Sequence, residues 1–171
     1  MLRSINIAWH FFILTIAAAF VFLLHAQQLQ TSSITETAVT RSNLQIVKDM
    51  YGSFAIGDVP AVVADMDPSI EWNESENFPY ADGNPYIGPD AVVKGVFSRL
   101  GSEWDYWKLT DQVYYESQNG EILVTGRYSA RHKKTGKEIN AQFVHIFWIE
   151  NGKVVKFQQY ADTYQVNAAM Q

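Results

Sequence analysis

Four long segments of alternating apolar and polar residues, divided by three turn signals, constrain this chain more than any other feature. Trp104–Ser117 ends at Gln118-Asn119-Gly120, and Glu121–His132 ends at Lys133-Lys134-Thr135-Gly136. Lys137–Glu150 ends at Asn151-Gly152, and Lys153–Tyr164 follows. Asn-Gly between alternating segments favours a tight hairpin, because that turn needs residues that accept positive φ. Three hairpins in succession predict an antiparallel meander. Successive strand residues point to opposite faces, so Ile139, Ala141, Phe143, His145, Phe147 and Ile149 share an apolar face that carries one imidazole. Ile122, Val124, Gly126, Tyr128 and Ala130 form a similar face next door. Thr125, Arg127, Ser129, Arg131, Asn140 and Gln142 take the opposite, more solvated side.

The region before the sheet reads as helical. Ser42 is a good N-cap with Gln45 three residues on, a capping-box pattern. Leu44, Val47, Tyr51 and Phe54 follow at helical spacing, widened by Ile46 and Met50. Gly57 ends this helix, and Asp58 caps a short second one with Pro60 in its first turn. Asp67-Pro68 breaks the second helix, and Ile70–Asn73 alternates like a strand. Glu74–Gly88 has no period, and a loop of that length usually binds or covers something. Pro89-Asp90 opens a third helix with Val92, Val93, Val96, Phe97 and Leu100 on one face, and Gly101 is expected to stop it. Helices first and sheet afterwards make an α+β domain.

Composition narrows the partners. Of 171 residues, 47% are hydrophobic and 14% aromatic, which suits one domain with a ring-lined core or cavity. The net charge of −5, with scattered Lys and Arg, argues against nucleic acid. The absence of cysteine excludes disulfides and thiolate chemistry. His10, His25, His132 and His145 lack metal-ligand spacing, and no phosphate-cradling loop or nucleophile elbow is present. No metal or cofactor is therefore expected.

The amino terminus differs in character. Arg3 precedes Phe11–Leu24, an apolar run broken only by Thr15, and Ala26 is a small residue at a plausible cleavage point. The run is shorter than the roughly 20 residues of a spanning helix. Residues 1–26 read as a secretory signal, giving a secreted or periplasmic protein. The alternative is an uncleaved membrane anchor over residues 5–24. Residues 27–41 read as a polar linker and residues 167–171 as a tail.

Several segments, in order, carry a family resemblance: Tyr51-Gly52-Ser53-Phe54-Ala55-Ile56-Gly57-Asp58, then Ile70-Glu71-Trp72, then Tyr86-Ile87-Gly88-Pro89-Asp90-Ala91-Val92. The stretch from His145 through Asn151-Gly152-Lys153-Val154 to Tyr160-Ala161-Asp162 completes it. Across residues 42–166 the chain resembles the SnoaL-like branch of the nuclear transport factor two superfamily. The resemblance implies a cone-shaped α+β barrel, with three N-terminal helices packed in a curved antiparallel sheet around an apolar cavity. Such chains are often homodimers. The superfamily includes ketosteroid isomerases, polyketide cyclases, epoxide hydrolases, dehydratase-like enzymes and non-catalytic members, so the fold does not fix the chemistry.

Within that frame His145 is the first candidate, a neutral imidazole able to donate to a substrate carbonyl or enolate, or else a core histidine bonded to a neighbour. It falls about where the isomerases keep a protonated aspartate as oxyanion donor. Asp162 resembles the cyclases' acid/base aspartate, although its strand phase also allows a solvated edge. Tyr51 could reach the cavity with its hydroxyl or simply pack. Trp72 stands near the position of the isomerases' proton-shuttling aspartate, which makes steroid isomerisation doubtful. Glu71, Glu74 and Asp82 are expected to be solvated acids, and Arg127 is expected on the wrong face for an epoxide hydrolase. Trp72, Phe54, Phe78, Tyr80, Tyr86, Phe97, Tyr128, Phe143 and Phe147 are the expected pocket walls. The expectation is a small apolar carbonyl or hydroxyl ligand and a cofactor-independent proton transfer of isomerase, cyclase or dehydratase type. The alternative is a non-catalytic ligand-binding or homodimeric module.

Overall fold

The structure, a computed structural model, describes residues 41–171. The expected signal, its anchor alternative and the linker before Arg41 lie outside the described residues. No helix among the described residues is long and apolar enough to cross a membrane.

Helix α1 spans Asn43–Ala55, and the Ser42 hydroxyl accepts from the Gln45 amide at 3.2 Å, as the capping pattern predicts. Ile46, Val47, Met50 and Tyr51 are buried along one stripe. Gly57 adopts φ 77°, the left-handed conformation that glycine reaches without a Cβ clash. Asp58 then caps α2 (Val59–Ala64) by accepting from the Ala61 amide at 3.1 Å. At the start of the domain the Arg41 guanidinium bonds both Asp49 and Asp65, fastening the chain to α1 and to the end of α2.

Strand β1 is Met66–Asn73, and the loop after it returns as the two-residue strand β2, Tyr86–Ile87. The third helix is interrupted. It runs as α3 (Pro89–Val92), a π-helical turn (Val93–Phe97) and α4 (Ser98–Glu103). Gly101 does not stop it; the helix ends where Trp104 turns extended at φ −114° and ψ 143°. The π turn lies where Tyr86 crosses the backbone. A Cβ on Gly95 would sit 2.1 Å from the Tyr86 ring, and one on Gly83 would sit 2.4 Å from it.

The meander follows as β3 (Trp104–Glu116), β4 (Ile122–His132), β5 (Glu138–Glu150) and β6 (Lys153–Ala161). The sheet order is β2-β1-β6-β5-β4-β3, antiparallel except where β1 lies parallel to β6. That pairing joins the first strand to the last. Register shifts near Asp111 in β3 and at Trp148/Ile149 in β5 add local twist and bend the long strands over the helices. On β5, Ile139, Ala141, Phe143, His145 and Phe147 all face inward as the alternation predicts. Each buried Ile or Phe of this face contributes roughly 1.5–3 kcal/mol.

The tail reading of residues 167–171 is corrected. Thr163–Met170 forms helix α5, which buries Val166 and Ala169. Its last carbonyls are bonded by Lys137 and by the Thr135 hydroxyl. β6 accordingly stops at Ala161, three residues before the expected end at Tyr164.

Candidate functional site

The helices and the inner sheet face enclose a cavity of about 70 Å³. Met50, Tyr51 and Phe54 of α1, Val62 of α2 and Val96, Phe97 and Leu100 of the third helix form one side. Trp72, Trp107, Leu109, Tyr128, His145, Phe147 and Phe157 form the sheet side, with Phe78 contributed by the loop. Two more polar groups complete it, Glu74 just past β1 and Gln159 on β6. No Lys or Arg is among its lining residues.

His145 is buried between two phenols. Its Nδ1 lies 2.7 Å from the Tyr51 hydroxyl and its Nε2 lies 2.5 Å from the Tyr128 hydroxyl. Burial lowers the imidazole from 6.5 to about 3, so the ring is neutral at physiological pH. Burial also holds both phenols well above their ordinary value, so they keep their protons. A neutral imidazole has one donor and one acceptor nitrogen, and here both are occupied. This matches the alternative of a core histidine bonded to its neighbours, and it leaves no ring N–H free for direct donation to a ligand. One consequence is general. Whichever nitrogen carries the proton, one tyrosine accepts it and keeps its own O–H for a third partner.

Glu74 overturns the expectation of a solvated loop acid. It is only 3% exposed and lines the cavity. Its Oε1 accepts from the Trp72 indole at 2.6 Å, while Oε2 has no partner among the described residues. Burial raises the carboxyl to about 7, against the pull of the bonded Trp72 indole and of the nearby Gln159 amide, which makes no hydrogen bond to it, toward the charged form. The sequence held a signal for it. Ile70, Trp72 and Glu74 share strand parity, so the face that buries the indole buries this carboxylate two residues on. Glu71 faces the other way, where it pairs with Lys156 at 3.3 Å, and Asp82 is an exposed partner of Arg99 at 2.7 Å.

Gln159 links the two halves. Its Nε2 donates to the Tyr128 hydroxyl at 2.9 Å, and its Oε1 accepts from the Ser75 amide at 3.2 Å. Strand order brings Glu74 (just past β1), Gln159 of β6 and His145 of β5 together, with His145 and Gln159 directly paired, and Tyr128 of β4, registered opposite Ala141, reaches His145 with its hydroxyl. Tyr51 reaches them from α1.

Asp162 does not join this group. It is the N-cap of α5, accepting from the Gln165 amide at 3.2 Å and from the Gln165 side chain at 2.7 Å. It lines a groove on the outer sheet face with Arg127, Gln142 and Tyr160. The acid/base reading of Asp162 is therefore corrected: the carboxylate satisfies a helix end. Asp162→Ala is expected to cost about 1 kcal/mol of stability and to leave ligand binding and turnover unchanged, read by urea unfolding beside the activity assay. A large activity loss with intact folding would contradict this assignment.

Of the expected pocket walls, Trp72, Phe54, Phe78, Phe97, Tyr128 and Phe147 line the cavity. Tyr80, Tyr86 and Phe143 do not. Tyr80 donates to Glu103 and accepts from the Trp104 indole, both at 2.8 Å. The Tyr86 hydroxyl donates to the Tyr80 carbonyl at 2.7 Å. Phe143 stacks behind His145 at 4.2 Å between ring centres. Among the described residues, no group of His, Asp and Glu is arranged to hold a metal ion.

Residues 47–157 match the SnoaL-like domain family, and the chain belongs to it. It is similar to an NTF2-like protein from Burkholderia thailandensis E264, at 37% identity and TM-score 0.72, covering 77% of this chain and 98% of that one. An NTF2-like protein of unknown function from Burkholderia pseudomallei K96243 matches at 26% identity and TM-score 0.68, covering 75% of this chain and 97% of its own. A candidate polyketide cyclase from Pseudomonas putida KT2440 shares the fold at 14% identity and TM-score 0.65, covering 75% and 98%. Among proteins of curated function, none matches the chain.

Proposed function

We propose that this domain is a cofactor-independent acid/base enzyme acting on a compact, uncharged carbonyl compound, with Glu74 as the base. The observation that carries the reading is a buried carboxylate that lines an apolar cavity and has one oxygen without a hydrogen-bond partner among the described residues. Burying an unpaired polar atom costs about 1–3 kcal/mol, so its persistence fits a group kept for a ligand. A carboxyl raised to about 7 is part charged at neutral pH, near the optimum for proton transfer.

In the proposed step, Glu74 takes a proton from a carbon next to the carbonyl. The C–H electron pair becomes the new C=C bond, and the carbonyl π pair moves onto oxygen. The phenolic O–H left over from the Tyr51–His145–Tyr128 triad donates to that enolate oxygen. The protonated Glu74 then returns the proton, at the same carbon or at a conjugated one. The apolar walls exclude water and strengthen both contacts. Isomerisation and cyclisation both begin with this enolate. The fold shared with a candidate polyketide cyclase is compatible with this chemistry. Export by residues 1–26 rests on the sequence and homodimeric assembly on the family resemblance, and both belong to the same proposal.

The test is a panel of small cyclic ketones and enones in deuterated buffer, followed by proton NMR. Enzyme-dependent loss of α-proton signal is expected, with a rate that rises through an apparent pKa near 7. Panel members that bind by native mass spectrometry without any exchange would leave a ligand-binding module instead.

A further inference from the structure

The triad leaves one phenolic proton for the ligand, and the residues beside it decide which tyrosine supplies that proton. A backbone N–H only donates, so the Gln159 atom facing the Ser75 amide at 3.2 Å is the oxygen Oε1. The other amide atom is then Nε2, which also only donates, and it lies 2.9 Å from the Tyr128 hydroxyl. The Tyr128 oxygen has two partners, and it accepts from Gln159. A phenol oxygen accepts one strong bond, because its other lone pair is conjugated with the ring, so Tyr128 gives its own proton to the second partner, His145 Nε2, at 2.5 Å. The single proton of the neutral imidazole is thereby placed on Nδ1, from which it is donated to the Tyr51 oxygen at 2.7 Å. Among the described residues the Tyr51 hydroxyl has no other partner, and Tyr51 lines the cavity.

We infer that Gln159 is a positioning residue that fixes the direction of this hydrogen-bond chain, from Ser75 through Gln159, Tyr128 and His145 to Tyr51. Tyr51 is then the ligand donor, and the ligand atom it meets is an acceptor oxygen. An N–H or ammonium group at that end would face a second proton and is rejected. The ligand half of this statement rests on the enzymatic reading of the cavity. The direction of the chain does not.

The tautomer of His145 reports the direction, in the full-length protein with no ligand added. Uniformly ¹⁵N-labelled protein near neutral pH gives long-range ¹H–¹⁵N spectra in which the protonated and bare ring nitrogens are distinct. The His145 ring is assigned through its contacts to the Tyr51 and Tyr128 ring protons. The expected result is one species, protonated at Nδ1 and bare at Nε2. A ring protonated at Nε2 in the unmodified protein overturns the inference, and this arm needs no variant to fold. Gln159→Met keeps the volume and removes the donor, so the second expected result is loss of the single tautomer in favour of averaged nitrogen shifts. An unchanged Nδ1–H tautomer in that variant would show that Gln159 does not set the direction. Neither readout involves turnover, so an inactive protein with the expected tautomer would reject the enzymatic reading and keep this one.

Discussion

Glu74→Gln is expected to lower turnover by about 10²–10⁴-fold, the usual contribution of a positioned base, while making the protein more stable above neutral pH. The carboxyl stands at about 7 in the folded protein against an ordinary 4.5. Its contribution to stability is therefore complete below about 4.5 and is lost as pH rises through about 7. The gap corresponds to roughly 3 kcal/mol of penalty on the charged form. Glutamine carries no such penalty and still accepts from the Trp72 indole. Urea unfolding at about pH 8 should show the variant ahead by roughly 2–3 kcal/mol, and at about pH 4 the two should be nearly equal. His145 acts in the opposite sense, because its folded value of about 3 lies below 6.5. Its contribution is complete above about 6.5 and falls away as pH drops through about 3. The two slopes oppose each other between about 4.5 and 6.5, so the wild-type stability profile should be flat there. A Glu74→Gln protein that is less stable than wild type at about pH 8, or fully active, would remove the base from its role.

The second large effect concerns Trp72, which stacks on Phe157 at 3.6 Å between ring centres and meets Phe97 edge-on at 5.6 Å. Trp72→Ala should cost about 3–5 kcal/mol from lost contacts and the void left behind. The same void admits water to Glu74 and should bring its carboxyl down toward the ordinary range. Trp72→Phe separates the two roles of the indole. It keeps a ring in the stack but removes the N–H that favours the charged carboxylate, so Glu74 should rise further above about 7. The acid limb of the pH–rate profile should thus move down in Trp72→Ala and up in Trp72→Phe. Movement of both in one direction would refute this account of how the carboxyl is tuned.

The parts legible in the sequence are those governed by neighbours in the chain. The Asn151-Gly152 turn, the inward face of β5 and the cap at Ser42 each follow from a few adjacent residues. The parallel pairing of β1 with β6 depends on how the whole meander curls, and no local pattern carries it. The π turn at Val93–Phe97 likewise depends on the ring of Tyr86 pressing against Gly95. Two features are carried by the sequence and concealed by their neighbours. Asp162 with Gln165 repeats the spacing of Ser42 with Gln45, a helix start, but it followed a strand whose alternation ran smoothly into it. Glu74 continues the parity of Trp72 beyond the last residue of β1, where a charged loop residue suggested solvent. Its burial requires the Gln159 amide and the Trp72 indole to converge from separate positions, and a single sequence does not show that they do.

Among the described residues no cationic side chain lines the cavity, and under the proposed function that bears on what the protein would meet in use. Carboxylates and phosphates dominate the pool of dissolved metabolites, and each would arrive with a negative charge that nothing in this hollow offsets. Glu74, once ionised, would repel it further. Under the proposed function the interior would act as a charge filter that needs no moving gate. Anions would leave the site free, and neutral molecules would face little competition for it.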